Sequence, residues 1–232
     1  MQDIGAILSE NAYPGRGIVV GVTPDGAKST VAYFIMGRSV NSRNRIFEKT
    51  EDGIRTRAFD ESKMVDPSLI IYHPVRKVGG KLVVTNGDQT DTIRDFLVRG
   101  ESFEEALRTR EFEPDGPNWT PRISAIVSED GSYKMSILKS ADLSGKYCLR
   151  QTYEYPAMAG TAHFIHTYRC DGNPIPSFSG EPEITDTVND IDAYAETVWT
   201  SLNGDNKVSL YVRFTDLMTG ESEERIFNKN EG

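Results

Sequence analysis

An α+β sandwich, two packed sheets covered by helices, is the fold class this sequence predicts. Three observations lead there: about ten short apolar stretches separated by turn residues, a pair of helical patterns in mid-chain, and one more near the end. So many strands exceed one small sheet. The 232 residues contain no internal repeat, low-complexity segment or linker, so one domain spanning 1–232 is expected.

The elements follow in order. Gly17 to Val22 (GIVVGV) and Ser29 to Met36 (STVAYFIM) flank Thr23-Pro24-Asp25-Gly26 and predict a hairpin. Strands are also expected at Ser68 to Tyr72 and Lys81 to Thr85. Asp88 to Val98 places Ile93, Phe96 and Leu97 on one helical face and ends at Gly100, a residue suited to a left-handed cap. Ser102, with Glu105 three positions on, opens a second helix through a capping box and turns Phe103, Ala106 and Leu107 inward. Arg122 to Ser128 and Tyr133 to Lys139 form a second hairpin around Asp130-Gly131. Further strands are expected at Lys146 to Glu154, Thr161 to Arg169, Val208 to Phe214 and Glu223 to Phe227. Ile191, Ala195, Val198 and Leu202 recur at helical spacing between Val188 and Leu202, with Asp190 at the positive end of the dipole.

Charge and composition bound the function. The formal net charge of −9 disfavours a nucleic-acid binder, because a phosphate backbone selects a basic face. Seven acids and no Lys or Arg fall between Glu181 and Asn206, however, and read as a solvated helix face with its approach loop. Arg38, Arg43 and Arg45, by contrast, share a run free of acids. No stretch approaches the ~20 apolar residues of a membrane helix, and the start has no signal-peptide pattern, so a cytoplasmic protein is expected. Cys148 and Cys170 lack CxxC spacing and are expected to be ordinary buried thiols.

Three segments could carry chemistry. Arg38 and Arg43 would converge on an anion if residues 39–42 make a loop around it, with Ser39 and Ser42 as extra donors; a solvent-exposed basic loop is the plain alternative. Thr85-Asn86-Gly87-Asp88-Gln89-Thr90 joins a strand to a helix N-terminus, where unpaired N–H groups favour a polar ligand, unless Asp88 is simply a cap. Glu111 to Arg122 is a proline-stiffened loop mixing carboxylates, an amide and an arginine, and it could also be a plain surface connection. His163 and His166 would point to opposite faces of a strand, so they cannot share a metal, while His73 lies at a strand end. Ser-His-Asp, HExxH, GxxxxGK and GxGxxG patterns are lacking. Arg16, in Ala12 to Gly17 (AYPGRG), is either a phosphate-facing or a purely structural turn residue.

GRSVNSR (Gly37 to Arg43), TNGDQTDTI (Thr85 to Ile93) and FEPDGPNWTPRI (Phe112 to Ile123) resemble, in order and separation, the three blocks of the archaeal-type IMP cyclohydrolase family. The third block departs in carrying Pro117 and Trp119, and the segment after Asp142 matches less closely. The resemblance implies a four-layer αββα sandwich similar to the N-terminal nucleophile hydrolases. It also implies ring closure of 5-formamidoimidazole-4-carboxamide ribotide to inosine monophosphate, with no cofactor or metal and a small purine nucleotide as substrate. Carried over residue by residue, it implies that Arg38, Ser39 and Arg43 bind the phosphate or polarise the formyl oxygen. Asn86 and Asp88 would orient the carboxamide or ribose, with Asn118 beside the substrate. Glu113 would move protons with Arg122 as charge partner, and Tyr72 would donate to the oxyanion. A homo-oligomer is compatible with it. Two other classes stay open: a non-catalytic purine-nucleotide binder, and an amide hydrolase of N-terminal nucleophile type, which a chain starting Met1-Gln2 would need processing to become.

Overall fold

The structure, a computed structural model, describes residues 1–64, 67 and 69–231. Helices α1 (Ile4–Glu10), α2 (Val40–Arg43), α3 (Gln89–Val98), α4 (Phe103–Arg108) and α5 (Ile191–Ser201) accompany two antiparallel sheets. The first sheet has the order β11-β10-β1-β2-β12-β13, where β1 is Arg16–Val22, β2 Lys28–Met36, β10 Thr161–His166, β11 Glu183–Asp186, β12 Lys207–Asp216 and β13 Ser222–Asn228. The second runs β3 to β9 in chain order: β3 Arg45–Lys49, β4 Gly53–Ala58, β5 Val75–Val78, β6 Lys81–Thr85, β7 Arg122–Val127, β8 Tyr133–Ser140 and β9 Cys148–Tyr155.

Strand alternation sorts the side chains into three apolar clusters. Ile18, Val20, Val31, Tyr33 and Ile35 of the first sheet meet Phe47, Val75, Val84, Ile123 and Ala125 of the second. On the other face of the first sheet, Val19, Phe34, Phe164 and Leu210 pack on Ile4 and Leu8 of α1 and on Ile191, Tyr194 and Val198 of α5. On the other face of the second, Val83, Ile126 and Leu138 pack on Ile93 of α3 and on Phe103 and Leu107 of α4. Burial on both faces explains why GIVVGV is apolar throughout rather than alternating.

Both expected hairpins form, and the three expected helices form with their caps: Ser102 and Glu105 close a capping box, and Gly100 has φ +81°. One expected strand does not. Of Ser68 to Tyr72, Ser68 lies outside the described residues, and 69–72 is a turn in which the Ile70 and Ile71 N–H groups donate to Pro67 O. The sheet is rejoined only after Pro74, at β5. The strands β3, β4, β5 and β11 escape the sequence reading because they are short and broken up by charged residues, exposed or half-buried apart from the buried Arg45, which blur the apolar alternation. The thiols are also corrected. Cys148 is half-exposed on the edge strand β9, and Cys170 is exposed because β10 ends at His166, short of the expected Arg169. His163 and His166 do face apart: His163 Nδ1 bonds the Tyr133 hydroxyl at 2.6 Å, while His166 stacks on Phe164. No helix among the described residues is long and apolar enough to cross a membrane.

Gly21 marks a close approach of β1 and β10. A Cβ there would lie 2.4 Å from both Thr161 O and Ala162 Cβ. Gly21→Ala is expected to destabilise the fold by about 1–3 kcal/mol, read as a lower denaturation midpoint.

Candidate functional site

The inter-sheet layer changes character at the end where β1 begins and β2 finishes, which the register Arg16↔Ile35 and Gly17↔His166 brings beside the exit of β10. Arg16 lies on the same face of β1 as Ile18 and Val20, and Arg45 on the same face of β3 as Phe47, so both guanidinium groups are directed into the layer between the sheets. Gly15, at φ +80°, lets the chain turn into β1. A Cβ there would lie 2.3 Å from Thr167 Oγ1, whose oxygen instead accepts the Arg16 N–H at 3.1 Å.

Around these arginines stand four tyrosines and a carboxylate. The Tyr13 and Tyr168 rings stack at 5.8 Å, and the Tyr168 hydroxyl meets Thr120 Oγ1 at 2.5 Å. Thr120 is gripped by Asp115 and accepts the Glu113 N–H at 2.9 Å through its carbonyl, so the 109–121 loop delivers Glu113 in a fixed position. Trp119, at φ +45°, takes the left-handed backbone within that loop. The Glu113 carboxylate lies 3.6 Å from Arg16 Nη2. The Tyr33 and Tyr72 hydroxyls meet at 2.7 Å, and the Tyr33 ring stacks on Phe47. Tyr72 is held without belonging to a strand: its N–H donates to Thr56 Oγ1 at 2.8 Å and its carbonyl accepts the Thr56 N–H at 2.9 Å.

The electrostatics follow from burial. Glu113 is 2% exposed, and removal from water pushes its carboxyl above the ordinary range, against the pull of Arg16 and Arg122. Burial likewise opposes the charge on Arg16, but Glu113 and the neighbouring tyrosines outweigh it and hold its pKa up. Tyr168 is pushed up to about 12, chiefly by burial. The result is a carboxyl held above the ordinary carboxylate range by burial, beside cations that pull the other way, and so placed to exchange a proton.

Of the residues singled out from sequence, Glu113 and Tyr72 belong to this cluster. Arg122 faces the opposite side of β7, where Nη1 reaches Asp88 Oδ1 at 2.8 Å and Gln89 Oε1 at 2.7 Å. Arg16, not Arg122, is therefore the ion-pair partner of Glu113. Asp88 sits at the N-cap of α3 without a capping bond; Arg110 and Arg122 keep its carboxyl ionised below the usual range despite burial. Asn86 is wholly buried. Its amide donates to Pro121 O at 2.8 Å, and its oxygen accepts from Ile123 N–H and Gln89 Nε2, so it fastens β7 to the end of β6 instead of facing an opening.

The expected loop over 39–42 is helical. Ser39 and Ser42 close a capping box on α2 and spend their hydroxyls on each other, because a helical turn brings positions three apart together. Arg43 turns to Gly37 O at 2.8 Å and Asn206 Oδ1 at 3.0 Å, and Arg38 to Asp171 at 2.5 Å and Gly172 O at 2.9 Å, so the two do not converge. Arg38 nevertheless stays with the cluster, its guanidinium 5.2 Å from the Tyr13 ring centre. Asn118 accepts the Ile175 N–H at 3.1 Å. Sequence reasoning noted Arg45 in the acid-free run without giving it a place in the site, and overlooked Tyr33, Tyr13 and Tyr168. The inward phase of Tyr33 in STVAYFIM was the available signal. A groove lined by Ser29, Lys77, Lys81, Arg213 and Asp216, at the far end of the β1–β2 hairpin, shares no residue with the cluster.

The fold and the site define an α+β sandwich protein with an ionisable, tyrosine-lined cluster buried between its sheets. The sequence model of the family described as IMP cyclohydrolase-like protein matches residues 13–221, and the chain belongs to that family. It is 31% identical to the IMP cyclohydrolase of Methanococcus aeolicus over 162 residues, 68% of this chain and 75% of that protein. Over 196 residues it is 29% identical to the IMP cyclohydrolase of Methanococcus maripaludis, covering 80% and 92% of the two chains. The enzyme of the same name from Methanocaldococcus jannaschii is 29% identical over 184 residues, 76% and 85%.

The bonding of Asn86 makes it a fastener. Asn86→Ala is expected to cost about 1–3 kcal/mol of stability, seen in chemical denaturation, by stranding the buried Ile123 N–H.

Proposed function

We propose that this chain is an IMP cyclohydrolase, closing 5-formamidoimidazole-4-carboxamide ribotide to inosine monophosphate with loss of water at the end of purine synthesis. The observation that carries the chemistry is the Glu113 carboxyl, buried beside Arg16 and raised in pKa, within a chain of this family. The placement of helices on the outer faces of two facing sheets supports the four-layer αββα arrangement and its similarity to the N-terminal nucleophile hydrolases. A metabolic reaction on a nucleotide suits a cytoplasmic protein, and the net charge of −9 suits one that binds a single nucleotide, not a nucleic acid or a membrane.

The carboxamide nitrogen forms a bond to the formyl carbon as the carbonyl π electrons move onto oxygen. Glu113 takes a proton from the attacking nitrogen, and the Tyr72 hydroxyl donates to the developing oxyanion. Glu113 passes that proton on to the oxygen, which gives a carbinolamine and leaves the carboxylate ionised again. The carboxylate then takes the proton of the second nitrogen, the carbon–nitrogen double bond forms as the carbon–oxygen bond breaks, and hydroxide leaves as water with that second proton returned by Glu113. Both hydrogens of the water thus come from the two nitrogens, and no electron acceptor is required. Arg16 steadies the ionised form of Glu113. Arg38, on the rim above Tyr13 and 37% exposed in its side chain, is placed to exchange Asp171 for the 5′-phosphate, with Arg43 bracing the rim through Gly37. Asn86, Asp88 and Arg122 act from behind, fixing the start of β7.

Ring closure followed by ultraviolet absorbance tests the reading; conversion supports it, whereas binding of inosine monophosphate by calorimetry without conversion would make the chain a nucleotide sensor. Glu113→Gln is expected to lower kcat on the order of 10²-fold. Because burial raises the Glu113 pKa, the wild-type rate should fall with acid through a limb above the ordinary carboxylate range, and that limb should vanish in the variant. Arg38→Ala is expected to raise KM about tenfold and to flatten its salt dependence.

A further inference from the structure

The seven-stranded sheet ends on β9 with an edge that the fold leaves open. Tyr147 O accepts the Ala141 N–H at 2.8 Å and Gln151 O accepts the Ser136 hydroxyl at 2.9 Å, so odd-numbered residues here turn their main chain toward β8. By antiparallel alternation, the N–H and C=O groups of Arg150, Thr152 and Glu154 point outward. Among the described residues, no turn or loop main chain bonds them, and all three residues are exposed. β9 also lacks the usual guards of a free edge, having no proline or lysine and no break in its register with β8.

The other three edges are guarded. The Asn228 side chain bonds both the N–H and the carbonyl of Phe47 on β3, and β11 is only four residues long and bridged at Thr185 by Gln2. On β13, the antiparallel register that sets Glu223 against Arg225 of a second copy also sets Glu224 against itself, and like charges directly opposite repel.

β9, by contrast, is complementary to itself. Its only charges are Arg150 and Glu154, placed symmetrically about Thr152. A second copy laid antiparallel, with a twofold axis through Thr152 normal to the sheet, therefore brings Arg150 of each chain opposite Glu154 of the other. Both pairs fall on the helix-side face with Thr152, in line with Leu138 and Lys134 of β8. On the opposite face Leu149, 41% exposed, meets Tyr155 of the second copy. Slipped registers are opposed: one centred on Arg150 confronts two arginines, and one centred on Glu154 two carboxylates. Within one chain the two charges are held only loosely. Arg150 lies 3.9 Å from Glu111, and Glu154 lies 3.4 Å from Lys134 with its side chain 74% exposed.

We propose that β9 is a homodimer interface, two chains joining edge to edge through Arg150, Thr152 and Glu154 to make one continuous antiparallel sheet. The proposal does not depend on the cyclohydrolase reading. Thr152 exchanges N–H and C=O with its own copy, and Arg150 with Glu154, so the outward groups of all three gain partners. Pro156, which falls opposite Cys148 and has no N–H, ends the ladder. Arg150 Nη2 also donates to Arg110 O at 2.8 Å, so the joined edge lies against the loop that carries Glu113.

The test is sedimentation velocity of the full-length chain over a concentration series, with far-ultraviolet circular dichroism to verify folding. The wild type is expected to sediment as a dimer. Arg150→Glu and Glu154→Arg should each raise the dimer dissociation constant about tenfold or more, since each turns both attractive pairs into like-charge pairs. An equimolar mixture of those two variants should recover the dimer, because one chain then carries acids at both positions and the other arginines. Thr152→Pro removes an N–H that β8 does not use, and should be folded and monomeric. A monomeric wild type overturns the proposal, and is the outcome if a different protein occupies this edge. A dimer that survives both Arg150→Glu and Thr152→Pro unchanged also overturns it, by placing the interface elsewhere. Loss of the dimer in both charge variants without recovery on mixing does the same, by excluding the register.

Discussion

Placing positive charge between two apolar sheets is the constraint on which this structure turns. A guanidinium taken from water costs several kcal/mol unless partners replace the lost hydration, and Arg16 and Arg45 enter the same inter-sheet layer. The surroundings are arranged to bear that cost. Glu113 is delivered to Arg16 by a loop clamped at Thr120 and Asp115, main-chain carbonyls at Met36 and Ser42 turn to Arg45, and the helical turn α2 is what presents Ser42 O. Tyrosines fill the remaining space, since each offers an apolar ring to the sheets and a hydroxyl to the charges.

Strand alternation then separates two polar systems only a sheet's thickness apart. On the inner side stand Arg16, Arg45, Glu113 and the tyrosines. On the helix side, Arg122, Asp88, Gln89 and Arg110 form a closed network at the start of α3, with Asn86 stitching β6 to β7 beside it. The second network makes the first rigid, because β7 begins where the Glu113 loop ends. Gly87 serves this closeness: a Cβ there would lie 2.5 Å from Arg122 Nη1. Residues adjacent in sequence thus divide between chemistry and support according to the parity of their position on a strand.

That parity explains what could be read from the sequence. The hairpins, the capping box at Ser102 and Glu105, and the α5 stripe are local patterns of period two or 3.6, and they appear as expected. Glu113 and Tyr72 stood out as candidates and lie in the cluster. Ser39, Asn86 and Asn118 stood out equally, yet Ser39 and Asn86 spend their polar groups on capping and main-chain bonds, and the Asn118 side-chain oxygen accepts a main-chain N–H. A side chain that fastens a loop and one that awaits a ligand have the same residue type and local context. They differ only in which partners the distant chain brings.

By itself the sequence determined the α+β class, most strands, the three helical patterns of α3, α4 and α5, and the family, because propensity, periodicity and motif order are carried within short windows. Tertiary structure alone decided that Arg16 and not Arg122 pairs with Glu113, that Arg38 and Arg43 part company, and that the Tyr33 and Tyr72 hydroxyls meet from separate segments. The reason is physical. Burial, and therefore charge state, is a property of the packed layer, and no residue carries it until both sheets close over the site.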